Sequence, residues 1–330
     1  MRTLRKSAVS MGVVATVAGV MIFDSTARAD HHEAAEAQPQ ADRKAVLVTG
    51  ASSGIGLRIT EVLAERGIHV YAGARKKADL ERLEAMDNVT SVRLDVTDQS
   101  EIDAAVAKIT AAGRGLHGLV NNAGVAIVAP LIEVDESELD FIFDVNIYGP
   151  YRVTKAFAPL IIESKGRITT ISSISGILSG TLFGPYSMSK HAMEAYGDSL
   201  AREMARFDVK VSLIEPGNYK SKIGETLKKR MDAQGVDLEN THYREEMERM
   251  LARMDEANDE KDPKEVADAV FHALFDENPK MRYMVVPNER QAEITIAKAI
   301  REMVELNEGQ EYTFSRDELI EMLDEALAEK

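Results

Sequence analysis

The chain reads as an α/β protein, a doubly wound sheet of seven parallel strands flanked by helices, with a helical lobe and a C-terminal helical tail. Three observations predict this. Seven short apolar runs alternate with segments of helical period from residue 44 onward. The intervening segments are long enough to be helices crossing back over a sheet, which antiparallel hairpins do not need. The first run leads directly into a glycine-rich turn, Thr49-Gly50-Ala51-Ser52-Ser53-Gly54-Ile55-Gly56, that opens a helix.

The first 43 residues precede this pattern. Arg2, Arg5 and Lys6 stand before an uncharged run, Ser7 to Phe23, and Ala27-Arg28-Ala29 follows. That three-part arrangement predicts a signal peptide over residues 1–29, with export to the periplasm or beyond. If kept, the run is near the minimum length for a membrane anchor. A start at Met11 or Met21 would instead give a cytoplasmic product. Residues 30–42, rich in Ala, Glu, Gln and His, predict a disordered spacer. His31 and His32 lack further ligand types nearby, so no metal site is expected.

The elements then follow in order. Ala45–Val48 is a buried strand, and the glycine turn passes into a helix over Ile55–Arg66. Gly50 permits the tight turn, Gly54 lets backbone N–H groups approach a pyrophosphate, and Gly56 lets the helix pack closely on the sheet. His69–Ala72 is the second strand. It ends in Gly73-Ala74-Arg75-Lys76-Lys77, with no acid where an NAD-preferring turn places one to bind the ribose hydroxyls. Arg75 instead suits a 2′-phosphate, which predicts NADP(H) with NAD(H) as the alternative. A merely solvated basic turn is the competing reading. Helix Ala78–Ala85, strand Val89–Leu94, helix Gln99–Ala111 and strand Leu116–Val120 complete the first half.

The second half opens with one long predicted helix, Glu136–Glu163, followed by strand Arg167–Ile171 and helix Pro185–Arg206. Tyr186 and Lys190 lie one turn apart on one face of the last helix. A nearby ammonium favours phenolate, so the Tyr186 pKa is expected to fall from about 10, and a phenol so tuned can exchange a proton with an alcohol oxygen. Tyr151 and Lys155 share the spacing. Ser173, however, lies thirteen residues before Tyr186 at a strand end, whereas the equivalent position before Tyr151 is Glu138, inside a helix. Context therefore favours Tyr186. Strand Val209–Ile214 leads into residues 218–261, a polar stretch carrying Met231, Met247, Met250 and Met254. These either line an apolar substrate pocket or pack one helix face onto the core. Helix Pro263–Phe275 and strand Arg282–Val286 close the domain, 43–287. Residues 288–330 form an acidic helical tail with a capping box, Ser315 to Glu318, before an apolar stripe that must bury against its own core or a second subunit.

Composition sets the outer limits. The 330 residues are 45% hydrophobic and 29% charged, which suits a soluble globular domain. A formal net charge of -15 argues against nucleic acid as a partner. With no Cys in the sequence, disulfides, thiolate metal sites and cysteine nucleophiles are excluded.

Together, TGASSGIG at 49–56, Asp95, NNAG at 121–124, Asn146, Ser173, YSMSK at 186–190 and PGNYKS at 216–221 occur in order over residues 44–287. The chain thereby resembles the short-chain dehydrogenase/reductase family, in its single-domain Rossmann-fold branch. The passage Ile214-Glu215-Pro216-Gly217-Asn218-Tyr219 is similar to the part that includes 17β-hydroxysteroid and retinol dehydrogenases, implying an apolar alcohol or carbonyl substrate. The resemblance implies a catalytic set of Asn146, Ser173, Tyr186 and Lys190. Tyr186 would be the general acid/base, and Lys190 would lower its pKa and hold the nicotinamide ribose. Ser173 would bind the substrate oxygen, and Asn146 would position a water leading from Lys190. It further implies a cofactor site drawn from Gly50, Ser52, Ser53, Gly54, Ile55 and Gly56, then Arg75, Asp95 and Val96. Asn122, Ala123, Gly124, Tyr186, Lys190, Pro216 and Gly217 would complete it. Homodimers or homotetramers are implied through the long helices. A non-catalytic NADP(H) sensor or scaffold is the competing function, with an epimerase or dehydratase as a third.

Overall fold

β1 (Ala45–Val48) is buried along its whole length, as a strand covered by helices on both faces must be. It pairs in parallel with β2 (His69–Ala74) on one side and β4 (Gly118–Asn121) on the other. With β3 (Val89–Arg93), β5 (Arg167–Ile171), β6 (Lys210–Pro216) and β7 (Arg282–Val285), the sheet runs in the order β3-β2-β1-β4-β5-β6-β7, every pair parallel. Chain order reverses between β1 and β4. A crevice opens there at the carboxyl ends of the strands, where such sheets bind ligands. The computed structural model describes residues 44–234, 238–256 and 260–328. The expected signal peptide, spacer and Arg43 lie outside the described residues.

One face is covered by α1 (Gly54–Glu65), α9 (Lys264–Phe275) and Leu83 of α2 (Lys77–Glu84). The other is covered by α3 (Gln99–Ala111), α5 (Gly149–Glu163) and α6 (Gly184–Met204), packed around Leu47, Leu119 and Phe157. Those three side chains are fully buried, and each contributes about 1.5–3 kcal/mol by leaving water. The expected strands all form, with ends displaced by a residue or two.

The single helix expected over Glu136–Glu163 is interrupted. α4 (Glu136–Phe143) passes through a π turn, Asp144–Tyr148, before α5 begins. Apolar periodicity continues across the junction, so the pattern could not reveal one extra residue in the ladder. Asn146 sits in that turn and is buried.

Between β6 and α9 the chain makes an excursion whose ends meet, the Lys220 N–H donating to the Lys261 carbonyl at 3.0 Å. It carries α7 (Ile223–Gln234) and α8 (Arg244–Glu256). Leu227, Met231, Met247 and Met250 bury against Val128 and Leu182 in a cluster of their own. Of the two readings for these methionines, helix packing is the one observed; the Met254 side chain lies outside the described residues. Arg230 grips Glu138 of α4 through two contacts of 2.6 Å and stacks on Phe141 at 3.9 Å. The tail forms α10 (Glu289–Asn307) and α11 (Arg316–Ala328). The capping box closes as expected: the Ser315 N–H donates to Glu318 Oε2 at 2.7 Å and the Glu318 N–H to Ser315 Oγ at 3.3 Å. The stripe behind it stays exposed, for α11 buries none of its described residues.

Candidate active site

The site begins at the glycine turn. Gly50 and Gly54 adopt φ +64° and +54°, conformations a side chain disfavours. A Cβ on Gly56 would lie 2.3 Å from Asn122 Nδ2 and 2.4 Å from the Gly50 carbonyl, so only glycine lets α1 start this close to the turn. Ser53 caps α1 in extended geometry with no side-chain cap bond, and no acid occupies the first helical turn. The N–H groups there are therefore oriented for an anion. Thr49 stiffens the arrangement, its hydroxyl accepting from the Asn122 and Ala123 N–H groups at 2.9 and 3.0 Å. The Asn122 amide donates to the Thr49 and Gly50 carbonyls, so it braces the turn.

Arg75 follows β2 directly and is exposed, resting 3.4 Å from Asp95. Asp95 also accepts from the Thr97 N–H and hydroxyl. Its partial burial raises its pKa, but Thr97 and Arg75 outweigh that and hold it below the usual carboxylate range. Val96 is buried against Gly149, where a Cβ would lie 2.7 Å from it. Arg82, which sequence reasoning passed over, donates to the Ser52 carbonyl at 2.6 Å and brings a second guanidinium to the turn. Only the fold could reveal it, because the contact spans two helices and a strand.

Across the crevice, Ser173 lies two residues beyond β5, and Tyr186 and Lys190 project from the first turns of α6. The Tyr186 phenol is hydrogen-bonded by Ser173. The Ser173 hydroxyl also accepts from the Ser175 N–H at 3.1 Å and lies 3.5 Å from the Pro216 carbonyl. Gly217 continues that loop, its N–H donating to Val285 at 2.8 Å. Lys190 is buried, donates to the Ile171 carbonyl at 3.0 Å, and places Nζ 5.6 Å from the Tyr186 ring centre. Burial pulls its pKa down to about 8, opposed by the negative charge of Glu194. The expected fall in the Tyr186 pKa is not what this geometry yields. Loss of water around the phenol pushes it up, and Ser173 supplies the opposing pull. The Lys190 ammonium is directed at a backbone carbonyl instead.

Asn146 is held as well as buried. Its Oδ1 accepts from the Val125 N–H at 2.9 Å, while Nδ2 donates to the Val125 carbonyl at 2.9 Å and to Ser189 Oγ at 3.0 Å. The side chain thus ties the loop after β4, beside Gly124, to α6. Ser189 is a second residue the sequence did not single out. Tyr151, the competing tyrosine, is exposed in the first turn of α5, with Lys155 Nζ 5.8 Å from its ring. Ser172 is buried one residue from Ser173, with no hydrogen bond to its hydroxyl among the described residues. Asn121 braces α5 through Thr154 at 2.9 Å. No cluster of metal-ligating side chains occurs among the described residues.

Comparison with known proteins places this constellation. A family model described as short chain dehydrogenase matches residues 44–232. The uncharacterized oxidoreductase YbbO of Escherichia coli strain K12 is 34% identical over 245 residues, covering 74% of this chain and 86% of that protein. The NADPH-dependent 3-dehydrocapnine reductase of Ornithobacterium rhinotracheale is 36% identical over 257 residues, covering 74% and 88%. Among solved structures, a short-chain dehydrogenase from Streptomyces avermitilis superposes with a TM-score of 0.66 at 30% identity, covering 81% of this chain and 95% of that one.

Proposed function

Because the chain belongs to the short-chain dehydrogenase/reductase family and is an oxidoreductase of that family acting on CH–OH groups, we propose that it interconverts an apolar alcohol with its ketone or aldehyde, using NADP(H) and Tyr186 as general acid/base. The observation that carries this is the convergence of Ser173, Tyr186 and Lys190 at the carboxyl edge of the sheet, facing the glycine turn across the crevice. When bound, the reduced nicotinamide supplies a hydride to the carbonyl carbon. The protein does the rest. Tyr186 gives its phenolic proton to the carbonyl oxygen as that oxygen gains charge, and Ser173 donates a hydrogen bond to the same oxygen. Lys190, as ammonium, would hold the cofactor ribose and stabilise the phenolate left on Tyr186. Asn146 fixes α6 against the β4 loop, and a water beside it would return a proton towards Lys190.

NADP(H) is favoured over NAD(H) by Arg75 and Arg82, which flank the turn with no acid at the end of β2. The name of the O. rhinotracheale relative, which includes NADPH dependence, supports this reading. Export of the catalytic domain by residues 1–29 and assembly into dimers or tetramers belong to the same proposal. The test is NADPH oxidation by purified protein across steroids, retinoids, aldehydes and aliphatic ketones. Turnover of an apolar carbonyl, lost in Tyr186→Phe, is expected. Tight NADPH binding with no turnover on any of them would give way to the sensor reading.

A further inference from the structure

One turn beyond Lys190 on the same face of α6 lies Glu194, and facing it from β6 is Glu215, whose side chain is 3% exposed against 13% for Glu194. Buried carboxylates this close cannot both be charged cheaply. Arg282 of β7 points Nε at Glu194 Oε2, 3.1 Å away, and Nη2 at Asp198 Oδ1, 2.8 Å away. Its Nε is 3.4 Å from Glu215 Oε1, too poorly shared to satisfy that oxygen. The remaining buried oxygens, Glu194 Oε1 and Glu215 Oε1, have no hydrogen-bond donor among the described residues. At the β5–α6 loop Glu194 packs on uncharged Gly176, where a Cβ would lie 2.8 Å from Glu194 Cγ. The charged groups acting on the pair are Lys190 and Asp198 from α6 and Arg282 from β7.

We propose that Glu194 and Glu215 share one proton and act as a positioning pair, holding Lys190 in its ammonium form beside Tyr186. A single proton between the two acids supplies the missing donor. It also balances the cluster: Lys190 and Arg282 are then offset by Asp198 and one negative charge on the pair. Burial and the facing Glu194 push Glu215 well above the usual carboxylate range, and Glu194 supports the charge on Lys190, as this arrangement requires. The consequence for catalysis rests on the reading of Tyr186 and Lys190 given above; the shared proton does not.

Two measurements separate them. Infrared difference spectra of the wild-type protein, taken from about pH 6 to about pH 9, should contain a carboxylic-acid carbonyl band that vanishes in both Glu194→Gln and Glu215→Gln. Absence of such a band in the folded wild type overturns the shared proton, whether or not a substrate is known and whether or not the variants fold. In the pH profile of turnover with NADPH, Glu194→Gln removes a charge next to Lys190. It should move the alkaline limb down by about one unit, a tenfold loss above the limb with a smaller loss near neutral pH. Glu215→Gln keeps a donor for a charged Glu194 and should hold the limb near its wild-type position. Equal losses in both variants at every pH would mean scaffolding alone and would overturn the positioning role.

Discussion

At the scale of single residues, the proposed reaction turns on Tyr186. Replacing it by Phe removes one oxygen and leaves the ring, so turnover should fall about 10²–10⁴-fold while NADPH affinity, read by fluorescence titration, holds. Wild-type-like turnover would end its role. Arg75→Asp should move the ratio of NADPH to NADH efficiency towards NADH. Arg82→Ala should weaken NADPH binding without raising NADH use, because its anchor is the Ser52 carbonyl. Away from the site, His117 is enclosed beside Phe275, with a ring nitrogen 3.0 Å from the Leu274 carbonyl. Burial drives its pKa down to about 4, helped by Lys44 and Arg167. A histidine with a depressed folded pKa stabilises the fold above its unfolded value, about 6.5, and that stability is lost as pH falls towards 4. Denaturant midpoints should therefore decline across that window in the wild type and stay flatter in His117→Gln. Tyr186, Lys190, Ser173 and Arg75 were legible because each follows a local signal: a helical spacing, a strand end, a missing acid. Arg82, Ser189 and the Glu194–Glu215 pair were not, since their partners are remote in sequence and only the fold brings them together.

Elements carry a different kind of constraint, that of close approach. In Gly56→Ala the new methyl group meets both Asn122 Nδ2 and the Gly50 carbonyl, and neither can move without disturbing the turn. A cost of about 1–3 kcal/mol is expected, seen as a lower unfolding temperature together with weaker NADPH binding. Unchanged binding would show that α1 can shift without harm. The glycine spacing announced this junction because strand, turn and helix are contiguous. The π turn at Asp144–Tyr148 left no such mark, as hydrophobic period measures which face is buried and not how many residues each turn holds. Its register matters all the same. Deleting Ile147 would restore a regular ladder and rotate Asn146 by about 100° relative to α5, away from Val125 and Ser189.

For the molecule as a whole, the parallel sheet and its seven strands were readable from alternation, because a buried parallel strand has little choice of composition, whereas the order of the strands came only with the fold. The fate of the tail was not. Its apolar stripe predicted burial, yet Met322, Leu323 and Leu327 are 43%, 57% and 54% exposed. A partner copy covering them would give a dimer or larger species by sedimentation, and Leu323→Glu with Leu327→Glu should shift it towards monomer without lowering the unfolding temperature of the catalytic fold. A monomeric wild type would remove this assignment. The clasp between Lys220 and Lys261 has a consequence of another sort. Since the chain departs and re-enters one hydrogen bond apart, what lies between is a cassette, whose length can change without stretching the sheet. Insertions there should therefore accumulate, in evolution or at the bench, while the strands on either side keep their register.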